Sequence, residues 1–209
     1  MNLSVKPVLT GEKTVLRPFT ADDADAVAEI LRDPEVIRFT FPADGSLTPE
    51  RLRAWYGSRS ARDDRLDLAV TDRSTGELLG EVVLYEWVPE ARACTFRTLL
   101  GPRGRGRGTG TEAIRLLLEY AFGELGLHRV QLEAWSDNSR ALHVYRKVGF
   151  VVEGVRRPTR MRDGAWADEV LMAVLEDEWA GHHGRPATGA AVNDRAAGGG
   201  SVSSTAGRP

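Results

Sequence analysis

Gly101-Pro102-Arg103-Gly104-Arg105-Gly106-Arg107-Gly108-Thr109-Gly110-Thr111 lies between a strand-like run and a helix-like segment. The run before it is Cys94-Thr95-Phe96-Arg97-Thr98-Leu99-Leu100. The segment after it, Glu112-Ala113-Ile114-Arg115-Leu116-Leu117-Leu118-Glu119-Tyr120-Ala121-Phe122, carries apolar residues at helical spacing. Glycine at alternate positions brings backbone N–H groups close to a ligand without Cβ interference, and the helix that follows aims the positive end of its dipole at the same spot. Arginines interleaved with the glycines add guanidinium groups that pair with phosphate in a fork geometry. Strand, turn and helix therefore read as one phosphate-cradling unit. A solvated glycine–arginine turn is the plain alternative, and the flanks argue against it.

Two familiar phosphate-binding patterns do not fit. A nucleoside-triphosphate loop ends in Gly-Lys-Ser/Thr, whereas Gly106 is followed by Arg107 and Gly108. The dinucleotide fingerprint needs G-x-G-x-x-G, whereas Gly104, Gly106, Gly108 and Gly110 recur every second residue.

The stretch resembles the acyl-coenzyme A pyrophosphate loop of the GNAT superfamily of N-acetyltransferases, R/Q-x-x-G-x-G/A, which Arg105-Gly106-Arg107-Gly108-Thr109-Gly110 matches. A second block, Asn138-Ser139-Arg140-Ala141-Leu142-His143-Val144-Tyr145-Arg146-Lys147-Val148-Gly149-Phe150, is similar to that superfamily's N-x-x-A-x-x-x-Y-x-K-x-G-F segment. The likeness runs from Leu16-Arg17-Pro18-Phe19 to Leu171-Met172-Ala173-Val174-Leu175. It is strongest to the branch of ribosomal-protein N-terminal and spermidine acetyltransferases, where Val152-Glu153-Gly154 and a Met-Arg-Asp-Gly hairpin follow Gly149-Phe150.

The resemblance implies an α/β (α+β) fold: a mixed, mostly antiparallel sheet flanked by helices, with a splayed central strand pair at Cys94–Leu100 and Arg129–Trp135. It implies acetyl-CoA as cosubstrate, with the pantetheine arm in the gap. Arg105, Gly106, Arg107, Gly108, Thr109 and Gly110 are then the diphosphate loop. The backbone of Leu99, Leu100 and Gly101 pairs with the pantetheine like an added strand. Asn138 bonds the arm or caps its own helix, and at most one of Arg146 and Lys147, close enough in sequence, reaches the phosphates.

An amine at neutral pH is mostly ammonium, so a base has to take its proton before it attacks the thioester, and the leaving thiolate calls for an acid. Tyr145 stands where many GNAT enzymes place the tyrosine that protonates the coenzyme A sulfur. Glu133 is the candidate base. It lies on the strand face opposite Val130, Leu132 and Ala134 and twelve residues before the tyrosine, a spacing that some N-terminal acetyltransferases share. Glu81 and Glu86 are the alternatives. Where the spermidine enzymes carry an acidic residue before the glycine loop, this chain has Thr95 followed by Arg97, which makes the pocket less acidic. Asp44, Glu50, Asp63 and Asp64 are further acidic candidates, more simply read as surface charges.

The expected activity is direct acetyl transfer, in a ternary complex, to a primary amine: a protein N-terminus or a small molecule, polyamines and aminoglycoside-type antibiotics among them. The alternative is a non-catalytic acyl-CoA-binding regulatory module. Lysine and arginine number 28 against 30 acidic residues, so no global cationic field points to nucleic acid. Cys94 is the single cysteine and reads as a packed strand residue. No run approaches the ~20 apolar residues that span a bilayer, and the start lacks a signal-peptide pattern, so a cytoplasmic protein without membrane association is expected. No metal site is expected, and a homodimer is left open.

Thr14 to Arg17 read as a first strand. Thr20 caps a helix that runs to about Arg32 and ends at Asp33-Pro34, and a second helix starts at Thr48-Pro49-Glu50. These two helices are expected to wall the amine pocket. Leu66 to Thr71 and Leu78 to Tyr85 form a hairpin extended by Cys94 to Leu100. A helix from Thr109 to Gly126, a strand from Arg129 to Trp135 and a helix from Asn138 to Lys147 follow. Residues 1–180 make one domain. Residues 181–209, rich in Gly, Ala, Ser and Pro, read as a disordered tail whose His182-His183 lacks metal-ligand spacing.

Overall fold

Apolar Val130, Leu132 and Ala134 alternate with polar Arg129, Gln131 and Glu133 along a central strand of a computed structural model that describes residue 3 and residues 5–40, 48–162 and 165–183. The strands are β1 (Leu9–Thr10), β2 (Thr14–Pro18), β3 (Leu66–Asp72), β4 (Leu78–Val88), β5 (Ala93–Leu100), β6 (Arg129–Trp135), β7 (Val151–Arg162) and β8 (Ala165–Leu175). The helices are α1 (Ala24–Ile30), α2 (Pro34–Thr40), α3 (Pro49–Arg59), α4 (Thr109–Gly123), α5 (Ser139–Lys147) and α6 (Glu176–His183). One sheet holds all eight strands in the order β1-β2-β3-β4-β5-β6-β8-β7.

The pairing is antiparallel except between β5 and β6, whose ladder runs only from Ala93 opposite Arg129 to Thr95 opposite Gln131. Beyond that point β5 stays with β4, Glu81 facing Leu99 and Gly80 facing Leu100. Strand β6 stays with β8 as far as Trp135 opposite Glu169. A wedge therefore opens in the middle of the sheet, as the resemblance implies. It exposes one backbone edge of β5 from Phe96 to Leu100.

Among the described residues, two of three buried clusters hold the sheet between its helices, and the third joins Ile30, Val36 and Leu99. On one face Val82, Leu84, Phe96, Val130 and Leu132 are buried with Ile114, Leu117 and Leu118 of α4. Each such side chain contributes roughly 1.5–3 kcal/mol of transfer free energy. On the other face Phe19, Ala24, Val27, Leu52 and Tyr56 cover Ala69. This second core seats α1 and α3.

Three expectations need correction. Asp33-Pro34 ends α1 but also begins α2, because the Asp33 Oδ1 accepts the Val36 N–H at 3.0 Å and Pro34 needs no donor in a first turn. The long helix stops at Gly123, ahead of a left-handed Gly126 at φ 63°. The start of the expected tail is helical, since α6 continues through His183 and buries Trp179 against Phe122 at 5.9 Å between ring centroids. Residues 184–209 and Asp44 lie outside the described residues. Thr20 precedes a short 3-10 turn, Ala21–Asp23, that leads into α1, and the Asp23 carboxylate accepts the Thr20 N–H at 2.8 Å and its hydroxyl at 3.2 Å.

Candidate functional site

The wedge between β5 and β6 widens into a cleft of about 670 Å³. Leu99 and Leu100 form one side and Glu133, Ala134 and Trp135 the other. Gly106, Gly108 and Gly110 stand at one end, Asn138 and Tyr145 come from α5, and Val36 and Phe39 of α2 close the outer wall. Among the described residues it is α2, and neither α1 nor α3, that borders this cleft.

A short 3-10 turn, Pro102–Gly104, carries the chain from β5 into the loop. Gly106 and Gly108 then adopt left-handed φ of 73° and 82°, a region that costs residues with a Cβ ~1–2 kcal/mol. A Cβ at Gly110 would lie 2.6 Å from Leu100 Cδ1, so the helix start and the β5 edge are packed as closely as glycine permits. The first N–H groups of α4, from Gly108 to Thr111, have no carbonyl one turn earlier and carry the helix's partial positive charge. With alternating backbone handedness before them, they make a concave anion-binding surface.

Two further side chains build the loop and were not singled out from the sequence. Lys13 Nζ donates to the Arg107 carbonyl at 3.1 Å and lies 3.3 Å from where a Gly108 Cβ would stand, which places an ammonium beside the cradle. The Glu112 carboxylate accepts the N–H groups of Glu12 (2.8 Å), Lys13 (3.0 Å) and Thr14 (2.8 Å) and the Thr14 hydroxyl (2.8 Å), tying α4 to the β1–β2 turn. Burial pushes its carboxyl up, and these four donors outweigh that and hold it below the ordinary glutamate range.

The arginines of the loop are already partnered. Arg105 donates to Asp33 at 2.8 Å, Glu35 at 3.1 Å and the Leu100 carbonyl at 3.1 Å, and its own N–H donates to Pro102. Arg107 turns away from the cleft to Asp72 at 3.1 Å, and Arg103 is held by Glu77. Thr109 is buried and, like Arg107, borders a second depression with Glu12, Lys13, Asp72 and Arg73. The Arg107 side chain thus lies outside the cleft lining, whereas Arg105 lines it beside Gly106, Gly108 and Gly110. Of the Arg146 and Lys147 pair, Lys147 lines the cleft.

Tyr145 is 8% exposed, set edge-on to Phe96 at 6.2 Å and to Phe150 at 5.9 Å between ring centroids. Burial among these rings pushes its phenol well above the ordinary tyrosine value, so the group is neutral at pH 7 and able to donate. Among the described residues its hydroxyl has no hydrogen-bond partner. Asn138 caps α5, accepting the Ala141 N–H at 3.2 Å, and also lines the cleft.

Glu133 lies on the polar face of β6, as its alternation predicts, and lines the cleft. Both its oxygens accept from Arg156, at 2.6 and 3.1 Å, and Arg156 also donates to Glu169 at 2.7 Å. Of the alternatives, Glu81 is buried behind the cleft wall, accepting from Arg97 at 2.8 Å and from the Tyr56 hydroxyl at 3.1 Å. Glu86 accepts the Thr95 hydroxyl at 2.8 Å. Arg97, the departure noted in the sequence, does line the cleft. Glu50, Asp63 and Asp64 are exposed surface charges, as expected. Cys94 is buried, and burial pushes its thiol up to about 12, which leaves it an inert core residue. No helix among the described residues is long and apolar enough to cross a membrane.

The sequence signal for α2 was present: Asp33-Pro34-Glu35 is a cap, a proline tolerated in the first turn and an acid at the dipole's positive end. What the sequence could not give was its neighbours. Glu35 bonds Arg140 at 2.7 Å and Arg105 at 3.1 Å, and Arg38 bonds Asp137 at 2.9 Å, so α2 is fastened to both shores of the cleft.

A family model for the acetyltransferase (GNAT) domain matches residues 13–151. The uncharacterized N-acetyltransferase YnaD of Bacillus subtilis (strain 168) is 28% identical over 171 residues, covering 82% of this chain and 98% of that protein. The spermidine N(1)-acetyltransferase of Escherichia coli (strain K12) is 26% identical over 171 residues, 82% of this chain and 90% of the relative. In fold, the chain is similar to the crystal structure of spermidine N-acetyltransferase from Vibrio cholerae in complex with CoA and spermine, with a TM-score of 0.73 at 23% identity over 81% of this chain and 99% of that one. With the splayed sheet, the glycine loop and the family match in agreement, the chain belongs to the GNAT family and is an N-acetyltransferase.

Proposed function

We propose that the cleft binds acetyl-CoA and that the protein passes the acetyl group directly to a primary amine within a ternary complex. One observation carries this reading: the free edge of β5, the left-handed glycines at the start of α4 and the Tyr145 phenol all face the same cleft. When bound, acetyl-CoA supplies an acetyl group activated as a thioester. The backbone N–H groups from Gly108 to Thr111, with the Lys13 ammonium beside them, would hold the diphosphate. The open edge at Leu99 and Leu100, with Asn138 opposite, would hold the pantetheine.

Tyr145 serves as the acid, its neutral phenol placed to protonate the leaving sulfur. Glu133 takes the proton of the incoming ammonium on a carboxylate lone pair that Arg156 does not occupy. On the acceptor side the carboxylates Glu81, Glu133 and Glu169 are each matched by Arg97 or Arg156. A polycation would have to displace arginines to gain those carboxylates, so the arrangement favours a protein N-terminus or a small amine with its charge confined to the reacting nitrogen.

The test follows released coenzyme A thiol from acetyl-CoA across a panel that includes spermidine, a peptide α-amine and an aminoglycoside. Release with at least one amine, lost in Tyr145→Phe, is the expected result. Saturable acetyl-CoA binding with no release for any amine would replace the proposal by a regulatory acyl-CoA-binding module.

A further inference from the structure

Glu35 occupies a position that the proposed cofactor reading does not explain. It stands in the first turn of α2 and lines the cleft, as do Arg105 and Arg140. Each of its carboxylate oxygens takes one arginine: Oε2 accepts from Arg105 at 3.1 Å and Oε1 from Arg140 at 2.7 Å. The two arginines come from opposite sides, Arg105 at the entry of the glycine loop and Arg140 in the first turn of α5, two residues after Asn138. An anionic group bridging two guanidinium groups beside an anion cradle has the chemistry of a phosphate mimic, since carboxylate and phosphate oxygens answer the same donors.

The neighbours sort the contacts into fixed and exchangeable ones. Arg105 is anchored apart from Glu35, by Asp33 at 2.8 Å and by the Leu100 carbonyl at 3.1 Å, and its side chain is 18% exposed. Arg140 is 58% exposed, and Glu35 is its ion-pair partner among the described residues. Helix α2 has its own tether through Arg38 and Asp137. Removing the Glu35 charge therefore frees donors at the cleft without untying the helix or moving Arg105.

We infer that Glu35 is a built-in competitor for the diphosphate of the cofactor: it holds Arg105 and Arg140, the cofactor anion takes them over, and the exchange sets how tightly the cofactor binds and how readily coenzyme A leaves. This rests on the acetyl-CoA reading above and adds a residue that acts against binding. Arg140 is thereby assigned as a phosphate ligand, a role its place in the sequence does not announce. Ion pairs this exposed are worth about 0.2–1 kcal/mol each, so two of them correspond to roughly a 2- to 30-fold effect on affinity.

Calorimetric titration of the full chain with CoA, and with pantetheine as a probe lacking the diphosphate, tests it. Glu35→Gln keeps the shape and removes the charge, and is expected to tighten CoA about 2- to 30-fold while leaving pantetheine unchanged. Arg140→Gln weakens CoA, and in the double variant most of the gain from Glu35→Gln disappears. Thermal unfolding of each variant, with Glu35→Ala as a second substitution, confirms that the folded protein is being compared. Wild-type binding of CoA with no gain in either Glu35 variant overturns the inference alone. An equal change for CoA and pantetheine also overturns it, because it marks Glu35 as a mere strut for α2. A wild-type protein that binds no CoA removes the cofactor reading itself, and this inference with it.

Discussion

Gly106→Ala isolates the backbone conformation on which the anion cradle depends. At this position φ is 73° and a Cβ would meet nothing within 4 Å, so the substitution adds no clash. What it adds is the left-handed penalty of ~1–2 kcal/mol, partly offset by the ~0.4–1 kcal/mol that alanine recovers by narrowing the unfolded ensemble. The net loss of about 1 kcal/mol lowers the melting temperature by ~2–4 °C in a chain of this size. If the loop sheds that strain by changing shape, the cofactor has to restore the shape on binding, and CoA affinity falls by about 5-fold. Gly126 supplies the control: its φ is 63°, it too has nothing within 4 Å, and it lies just past the far end of α4. Gly126→Ala should lose the same stability and bind CoA like the wild type. Differential scanning calorimetry and CoA titration on both variants provide the comparison. Equal CoA affinities for the two, at equal stability loss, would refute the claim that the left-handed glycines shape the binding surface.

Tyr145→Phe should lower turnover by about 10²–10⁴-fold while CoA affinity and melting temperature stay near wild type, because the phenol's hydroxyl has no partner to lose among the described residues; steady-state kinetics and calorimetry read this directly. Glu133→Gln should reduce kcat/KM for the amine by about 10²–10⁴-fold in steady-state kinetics with CoA affinity near wild type; an unchanged kcat/KM would remove Glu133 as the proton acceptor. Glu112→Gln should cost roughly 1–2 kcal/mol at pH 7 by urea unfolding. The folded carboxyl of Glu112 is held below its unfolded value, so its stabilisation is complete above about pH 4.3 and fades as pH falls through the folded value. The gap between Glu112→Gln and wild type should therefore close in acid, and a gap that persists there would show that the charge is not what stabilises the turn.

The elements that position the cleft were legible because they depend on local spacing. Alternating glycines announced the loop, period-2 alternation put Glu133 opposite Val130 and Leu132, and the 3.6 period of Ala113, Ile114, Leu117 and Leu118 gave α4. Local signals with two meanings were harder. Asp33-Pro34 stops one helix and starts the next. Least legible were partners distant in the chain. The charges of Arg105 and Arg107 are plain in the sequence, yet the carboxylates that claim them, Asp33, Glu35 and Asp72, come from segments 35 to 72 residues away. Arg156 lies 23 residues beyond Glu133 and meets it only because β7 folds back on β8 beside β6. A basic loop in sequence thus becomes, once folded, a loop whose arginines are each paired with a carboxylate.

Hydrogen–deuterium exchange with and without acetyl-CoA tests the central claim most directly, because it reports on the same N–H groups said to grip the diphosphate. Slower exchange in peptides covering residues 96–111, with residues 70–80 unchanged, is the predicted result. Protection confined to other segments, or exchange unaltered across 104–111 at saturating acetyl-CoA, would contradict it.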